Sequence, residues 1–440
     1  MLRSAALSAT RARSVDGLIE EIDGEVVLPT HAEYDRARRV FNGAIDRKPH
    51  AIVRARGERD IVNAVSYARN NGLPLTVRGG GHHFAGYAAI DGGITIDLAH
   101  MRQVQVEPKE RIARVQGGAL WSDVERATQR YHFAIPGGTV SSVGAGGFTL
   151  GGGMGRLTRA YGLAADNLLS ATIVTADGRL VTATEGENES LFWAIRGGGG
   201  GFGVVTSLDF RLHYLSPVVW GGAIGFRLED APQVLRVMRD LMLSPSRALS
   251  VSAAIVRDGG RSLLVMNPFW IGDPAAVDSA VRPLREAATP VMDRYAPTSY
   301  LALQSVDVPG GRRGWETSAF LDQMFDDTID AIVDYAADAT LAAPRIALLP
   351  VGGAVNDVAC SDSAFGGRGA EWLVQSGASW DDKAQDAEAT DWIERLHTVV
   401  AGDATGVGYV NMIAGNRPAH SEWTRARLRA VREQWGMDQR

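Results

Sequence analysis

Three glycines followed directly by two histidines, in Arg78-Gly79-Gly80-Gly81-His82-His83, make the stretch of this chain best suited to chemistry. Glycine has no Cβ, so a glycine-dense loop lets main chain approach a large flat or phosphorylated ligand. Such a loop also exposes the histidine behind it. An imidazole is a nucleophile, so His82 can form a covalent bond as well as a hydrogen bond. A second glycine-dense run extends from Pro136-Gly137-Gly138-Thr139 to Gly155. Two such loops, with one histidine between them and the ligand, point to a covalently held cofactor.

The elements that position these loops follow from hydrophobic periodicity. Residues 75–78 read as a strand running into the three glycines. A strand at 52–54 and an amphipathic helix over 60–70 precede it; Ile61, Val62, Val65 and Ala68 form the helix stripe and Gly72 its stop. The spacing of Tyr34, Ala37, Val40 and Phe41 predicts a helix within 29–42. Strands are expected at 94–98, 113–116 and 169–175, and a helix over 121–131. This first α+β region closes near 214. From about 218 to 395 glycine thins out. Strands are expected there at 219–228, 249–256, 263–270, 346–351 and 373–378. Helices are expected at 231–242, 274–288, 320–337 and 387–400. That alternation predicts one sheet with helices on one face. The closing segment, 401–440, offers a strand at 409–413, which would put Tyr409 and Asn411 on the same face. A helix follows from Ser421, an N-cap, to Trp435, with Gly436 as its stop. Residues 1–20 carry no committed pattern.

Composition narrows the function classes. The chain has 440 residues, 45% hydrophobic and 22% charged, as in ordinary globular proteins. That length suggests two or three domains. Glycine is the outlier, at 51 residues. A net charge of −6 argues against a nucleic-acid partner, which needs a basic face. The single cysteine, Cys360, excludes an internal disulfide and any cysteine-based zinc site, and fits a cytoplasmic location. No metal site is expected. The first sixteen residues hold Arg3, Arg11 and Arg13 but no apolar stretch of signal-peptide length. No apolar run is long enough to span a membrane.

Familiar motifs fail on context. Gly198-x-Gly200-x-x-Gly203 matches the dinucleotide fingerprint, which needs a strand before it and a helix after. Here Leu191 to Ile195 reads as helix and Val204 to Phe210 as strand, so the match is rejected. There is no Gly-Lys-Ser/Thr, no His-Glu-x-x-His, and no Gly-x-Ser-x-Gly around Ser141 or Ser142. Bound phosphates would sit on loops between strands.

Taken together and in order, the motifs resemble the FAD-linked oxidases of the vanillyl-alcohol oxidase superfamily, berberine-bridge-enzyme-like branch. They are Arg78 to His82; Asp91-Gly92-Gly93-Ile94-Thr95-Ile96-Asp97-Leu98; Val115-Gln116-Gly117-Gly118; Pro136 to Thr139; and Thr149-Leu150-Gly151-Gly152-Gly153 with Gly155. Then come Tyr161 to Leu168, Leu191-Phe192-Trp193-Ala194, Arg196-Gly197-Gly198-Gly199 and Gly203-Val204-Val205-Thr206. The resemblance is densest from Pro29 to Leu212. It implies a two-lobed α+β fold of the vanillyl-alcohol oxidase type, in which an FAD-binding region (1–214, completed by 401–440) meets a substrate domain (215–400). That domain is an antiparallel sheet backed by helices.

The resemblance further implies FAD joined to His82 through the methyl group of its benzenoid ring. Some relatives add a cysteinyl link at the position of Val140, which has no thiol, so a single attachment is expected. The implied FAD contacts are Arg78, Gly79, Gly80, Gly81, His82, His83 and Gly86; Gly137, Gly138 and Thr139; Val143, Gly144 and Gly147; Gly151, Gly152 and Gly153; Asn167 and Leu168; and Gly203, Val204 and Val205. Similar enzymes use a tyrosine over the flavin as base, which carries over to Tyr409 with Asn411 beside it. Arg368 is the candidate cation that would ease its ionisation, although Gly367 stands where relatives show histidine. A small β-branched Val143 favours oxygen access. The implied reaction moves a hydride from a C–OH or C–N group of a small secondary metabolite to FAD, with molecular oxygen as acceptor and hydrogen peroxide as product. A dehydrogenase using another acceptor, and a non-catalytic flavin-containing binding protein, are the alternatives. Relatives usually continue past the last helix into an Asp-Pro-x-Asn-x-Phe segment, which residues 436–440 do not match.

Overall fold

The computed structural model describes residues 14–437 except 245, 259 and 342. The first sheet contains β1 (Glu25–Val27), β2 (Ala51–Arg54), β3 (Leu75–Arg78) and β4 (Ile94–Asp97), in the order β1-β2-β4-β3. Strands β2 and β3 both run parallel to β4, so the chain must cross over between them, and α1 (Glu58–Asn70) makes that crossover. Ile61, Ala64, Val65 and Ala68 of α1 are buried against Val53, Ile94 and Ile96.

The second sheet is antiparallel throughout. It holds β5 (Val104–Glu107), β6 (Ile112–Gln116), β7 (Leu168–Val174), β8 (Leu180–Ala183) and β9 (Val204–Arg211), in the order β5-β6-β9-β7-β8. Helices α2 (Trp121–Thr128) and α3 (Glu189–Ile195) share its core through Trp121, Val124, Phe192 and Ile195. The segment from Gly198 to Gly203 therefore leaves a helix and enters a strand, the reverse of a dinucleotide-binding turn.

The third sheet is the largest among the described residues, with nine strands. Its main path is β10 (Ile224–Arg227), β11 (Leu249–Asp258), β12 (Arg261–Trp270), β13 (Arg313–Leu321), β14 (Pro344–Pro350) and β15 (Trp372–Trp380), ordered β10-β12-β11-β14-β15-β13 with antiparallel pairing. Side chains alternate between its faces. One set, including Val251, Ile255, Leu264, Met266, Ile346, Leu348 and Val374, packs against α4 (Ala231–Met242), α5 (Val277–Ala287), α6 (Asp326–Ala337) and α7 (Asp386–Glu394). The alternate set, Ser250, Ser252, Asn267, Glu316, Arg345, Ala347, Gln375 and Gly377, is polar or small and lines a cavity. Helix α8 (Glu422–Gln434) returns to the second sheet, inserting Leu428 and Val431 into its core.

Four local expectations need correction. Within 29–42 only Tyr34–Ala37 is helical. The chain beyond is held by distant partners: the Phe41 N–H donates to Gly81 O and the Gly43 N–H to Arg312 O. Residues 320 and 321 end β13 rather than start a helix, and α6 begins at Asp326. The expected strand at 409–413 is a 3₁₀ turn, Val410–Met412, preceded by an extended Tyr409. Within the first twenty residues, Val15–Glu21 is a helix with Ser14 as its N-cap and Leu18 buried, while residues 1–13 lie outside the described part.

Candidate active site

A cavity of about 1810 Å³ runs from the glycine loops to the polar face of the third sheet. Gly79, Gly80, Gly81, His82, His83, Gly138, Thr139, Val143, Gly144, Gly147, Gly203, Val204 and Val205 line it. Arg78, Gly86, Gly137, Gly151, Gly152, Gly153, Asn167 and Leu168 do not. They act behind the wall: Arg78 pairs with Asp97 at 2.9 Å, and the Asn167 amide donates to Tyr161 O and Leu163 O.

The glycines fall into two kinds. At Gly80 an added Cβ would lie 2.3 Å from Gly144 N, and at Gly155 it would lie 1.9 Å from Gly137 O. These glycines let two loops press main chain against main chain. At Gly147 and Gly200, both on the cavity wall, the space where a Cβ would stand is open. There the missing side chain leaves room for a ligand.

The two histidines differ as sharply. His83 is fully engaged: Nδ1 accepts from Ala85 N–H at 3.1 Å, and Nε2 lies 3.0 Å from Val410 O. His82 makes no hydrogen bond among the described residues. Its ring stacks on Phe41, centroids 4.4 Å apart, at the cavity wall. Burial lowers its pKa, which keeps the imidazole neutral and its lone pair available near neutral pH. A free, neutral imidazole beside open glycine-lined space fits an attached cofactor. Among the described residues no group of three or more His, Cys, Asp or Glu is placed to hold a metal ion, and no helix is long and apolar enough to cross a membrane.

The facing wall carries chemistry that sequence reasoning missed. The Glu316 carboxylate of β13 accepts from the Gln375 amide of β15 at 2.5 Å, and the Gln375 oxygen accepts from Arg345 of β14 at 2.9 Å. Glu316 and Arg345 are both register partners of Gly377, so no side chain stands between them on the intervening strand. Burial raises the Glu316 carboxyl to about 7, against weaker opposing effects of Gln375 and Arg345. These positions carry no motif; only the strand register brings 316, 345 and 375 together.

A family profile described as an FAD-binding domain matches residues 49–184. The chain is 28% identical over 409 residues to the FAD-linked oxidoreductase YgaK of Bacillus subtilis, covering 89% of this chain and 88% of that protein. It is 38% identical over 203 residues to (R)-6-hydroxynicotine oxidase of Paenarthrobacter nicotinovorans, a match spanning 46% of this chain and 44% of that one. Among solved structures, 6-hydroxy-D-nicotine oxidase from Arthrobacter nicotinovorans superimposes with a TM-score of 0.88 at 25% identity, covering 97% of this chain and 98% of that one. A berberine-bridge-enzyme-like protein from Physcomitrella patens gives 0.90 at 24% identity and 97% of both chains, a likeness of fold. The chain carries an FAD-binding domain and has the fold of the vanillyl-alcohol oxidase flavoproteins. It is an FAD-linked oxidoreductase, and its α+β fold is of that type.

In this flavoprotein the expected neighbours of Tyr409 are rearranged. Its hydroxyl oxygen accepts from Gly153 N–H at 3.0 Å and from the Asn411 amide at 2.8 Å. Asn411 also donates to Phe148 O. Tyr409 and Asn411 thus meet through a turn rather than along a strand. Burial pushes the Tyr409 phenol up to about 12, outweighing both donors. Arg368 does not serve it. The five N–H bonds of that guanidinium go to Asp166, Ser363 and Val355 O. Asp166, an anion close enough to accept from Arg368, is what claims the cation. Val140 lines the cavity and bridges to Val306, so the segment beside it is strapped by the chain around Val306.

Proposed function

We propose that this flavoprotein is an oxidase holding FAD covalently through His82 and oxidising a C–OH or C–N group of a small molecule, with molecular oxygen as acceptor and hydrogen peroxide as product. The observation that carries this reading is the single continuous cavity with an unpartnered, neutral His82 on one side and Glu316 on the other. Gly79, Gly80, Gly81, Gly138, Thr139, Gly144, Gly147, Gly203, Val204 and Val205 would hold the cofactor, with Val140 leaving a single attachment. FAD, when bound, supplies the acceptor for two electrons.

The chain's own residues do the rest. Glu316 takes the proton of the substrate O–H or N–H. A carboxyl near 7 is substantially ionised at neutral pH, whereas a phenol near 12 is not, which favours Glu316 over Tyr409 as the base. Gln375 fixes the Glu316 carboxylate through one oxygen, and the other makes no hydrogen bond among the described residues. Tyr409, with Asn411, ties the C-terminal turn to Gly153. The sheet above the cavity excludes water and presents the substrate.

Denaturing the purified protein tests the attachment. Yellow colour should stay with the acid-precipitated polypeptide, whose mass should exceed the sequence mass by one FAD. His82→Ala should release its colour to the supernatant. Colourless, unmodified polypeptide would overturn the covalent link. Rapid reoxidation of substrate-reduced protein by air is expected; reoxidation lasting many minutes identifies a dehydrogenase instead.

A further inference from the structure

The substrate-facing wall pairs one acid with one base-stable cation. Arg345 donates one hydrogen bond, to Gln375, and pairs with no carboxylate among the described residues. It is an exposed residue of β14 that lines the cavity, and the surrounding protein lowers its pKa by desolvation. The other arginines of this cavity are mostly committed. Arg47 binds the carbonyls of Ala85, Gly86 and Ala89; Arg69 binds Asp177 O; Arg312 pairs with Asp381. Arg156 follows Gly155 beside Tyr300, and its Nε has no hydrogen-bond partner among the described residues. A guanidinium on a cavity wall, with unused donors in a fixed fork, is suited to a planar oxyanion.

We infer that the substrate carries a carboxylate held by Arg345, with its oxidisable amine or alcohol placed at Glu316. This rests on the functional reading above and adds the substrate class, an amino or hydroxy acid. Gly377 is what makes the arrangement possible. It leaves a bare strand position between Glu316 and Arg345, while Gln375 keeps the two charges apart by bonding each. The small polar neighbours Ser250, Ser252 and Asn267 leave room, and Phe269 and Trp315 offer apolar contact.

Calorimetric titration of the holoenzyme with benzoate and with its neutral analogue benzamide tests the inference. Benzoate should bind at least about tenfold more tightly than benzamide. Arg345→Met should abolish that preference while leaving benzamide binding unchanged, Arg345→Lys should retain part of it, and Arg156→Met should retain all of it. Equal binding of the two probes, no binding of benzoate, or a preference lost in Arg156→Met and kept in Arg345→Met would each overturn it. Visible absorbance of the same sample reports the flavin separately. Colourless protein therefore sinks the redox reading, whereas yellow protein indifferent to benzoate sinks only the carboxylate.

Discussion

The two walls of the cavity are built on opposite principles. The cofactor wall is main chain. Gly80 and Gly144 touch backbone to backbone, Gly147 leaves open space, and the His82 ring stands at the cavity wall. The facing wall is side chain, with Glu316, Gln375 and Arg345 projecting from three adjacent strands. A wall of backbone suits a ligand that never changes, because its shape is fixed by glycine placement. A wall of side chains can be altered residue by residue without disturbing the sheet beneath, since helix-facing positions hold the core.

Each wall has a buried glutamate, and these differ in consequence. Glu316 opens to the cavity, whereas Glu125 on α2 is sealed behind Gly137, with burial pushing its carboxyl up to about 8. The largest expected effect is on Glu316. Glu316→Gln should lower kcat/KM by about a hundred- to ten-thousand-fold, with folding unimpaired. In the unsubstituted protein activity should rise with pH through about 7, as the carboxyl ionises, and the variant should lack that limb. A pH–rate profile unchanged by the substitution would move the base elsewhere.

A pair of glycine variants sharpens the account of the cofactor wall. Gly80→Ala forces a methyl to within 2.3 Å of Gly144 N and should cost about 1–3 kcal/mol in thermal unfolding. Gly147→Ala meets nothing within 4 Å and lies in the helix Ala145–Leu150, so the bare fold should gain up to about 1 kcal/mol. FAD incorporation should nonetheless fall, read as the ratio of visible to ultraviolet absorbance. Full flavin loading in Gly147→Ala would break the distinction between packing and ligand glycines.

Glu125 gives the smallest, purely structural effect. Its folded pKa of about 8 lies above the ordinary 4.5, so the folded state keeps a proton that the unfolded chain releases. Stability from this group is therefore full below 4.5 and declines by about 1.4 kcal/mol per pH unit up to about 8. Glu125→Gln should flatten the fall in Tm between pH 5 and 8 and leave the Glu316 limb of the activity profile in place. An unchanged slope would mean that the carboxyl is not held protonated.

Legibility in the sequence followed the same division. The crossover around α1, the strand entering Gly79 and the helix-to-strand passage at Gly198 to Gly203 were readable, because each rests on neighbours in the chain. The strand β13 was not. It is buried along most of its length, so the apolar Phe320-Leu321 merged with the helix that begins at Asp326. The turn at Val410–Met412 replaced a strand because long-range bonds from Tyr409 to Gly153 and Ser318 pin the chain there. His82 and His83 look alike in sequence. Only folding shows that one is consumed by Val410 and Ala85 and the other is free.

The sequence by itself carried the glycine loops: where glycine permits close approach of main chain, and that position 140 holds valine, which has no thiol. Tertiary structure alone decided the facing wall. Residues 316, 345 and 375 become neighbours through antiparallel register across three strands, and Arg368 pairs with Asp166. The physical reason is range. Backbone conformation is governed by local sterics, which leave a pattern in consecutive residues, whereas convergence of side chains depends on pairings between distant segments, which leave none.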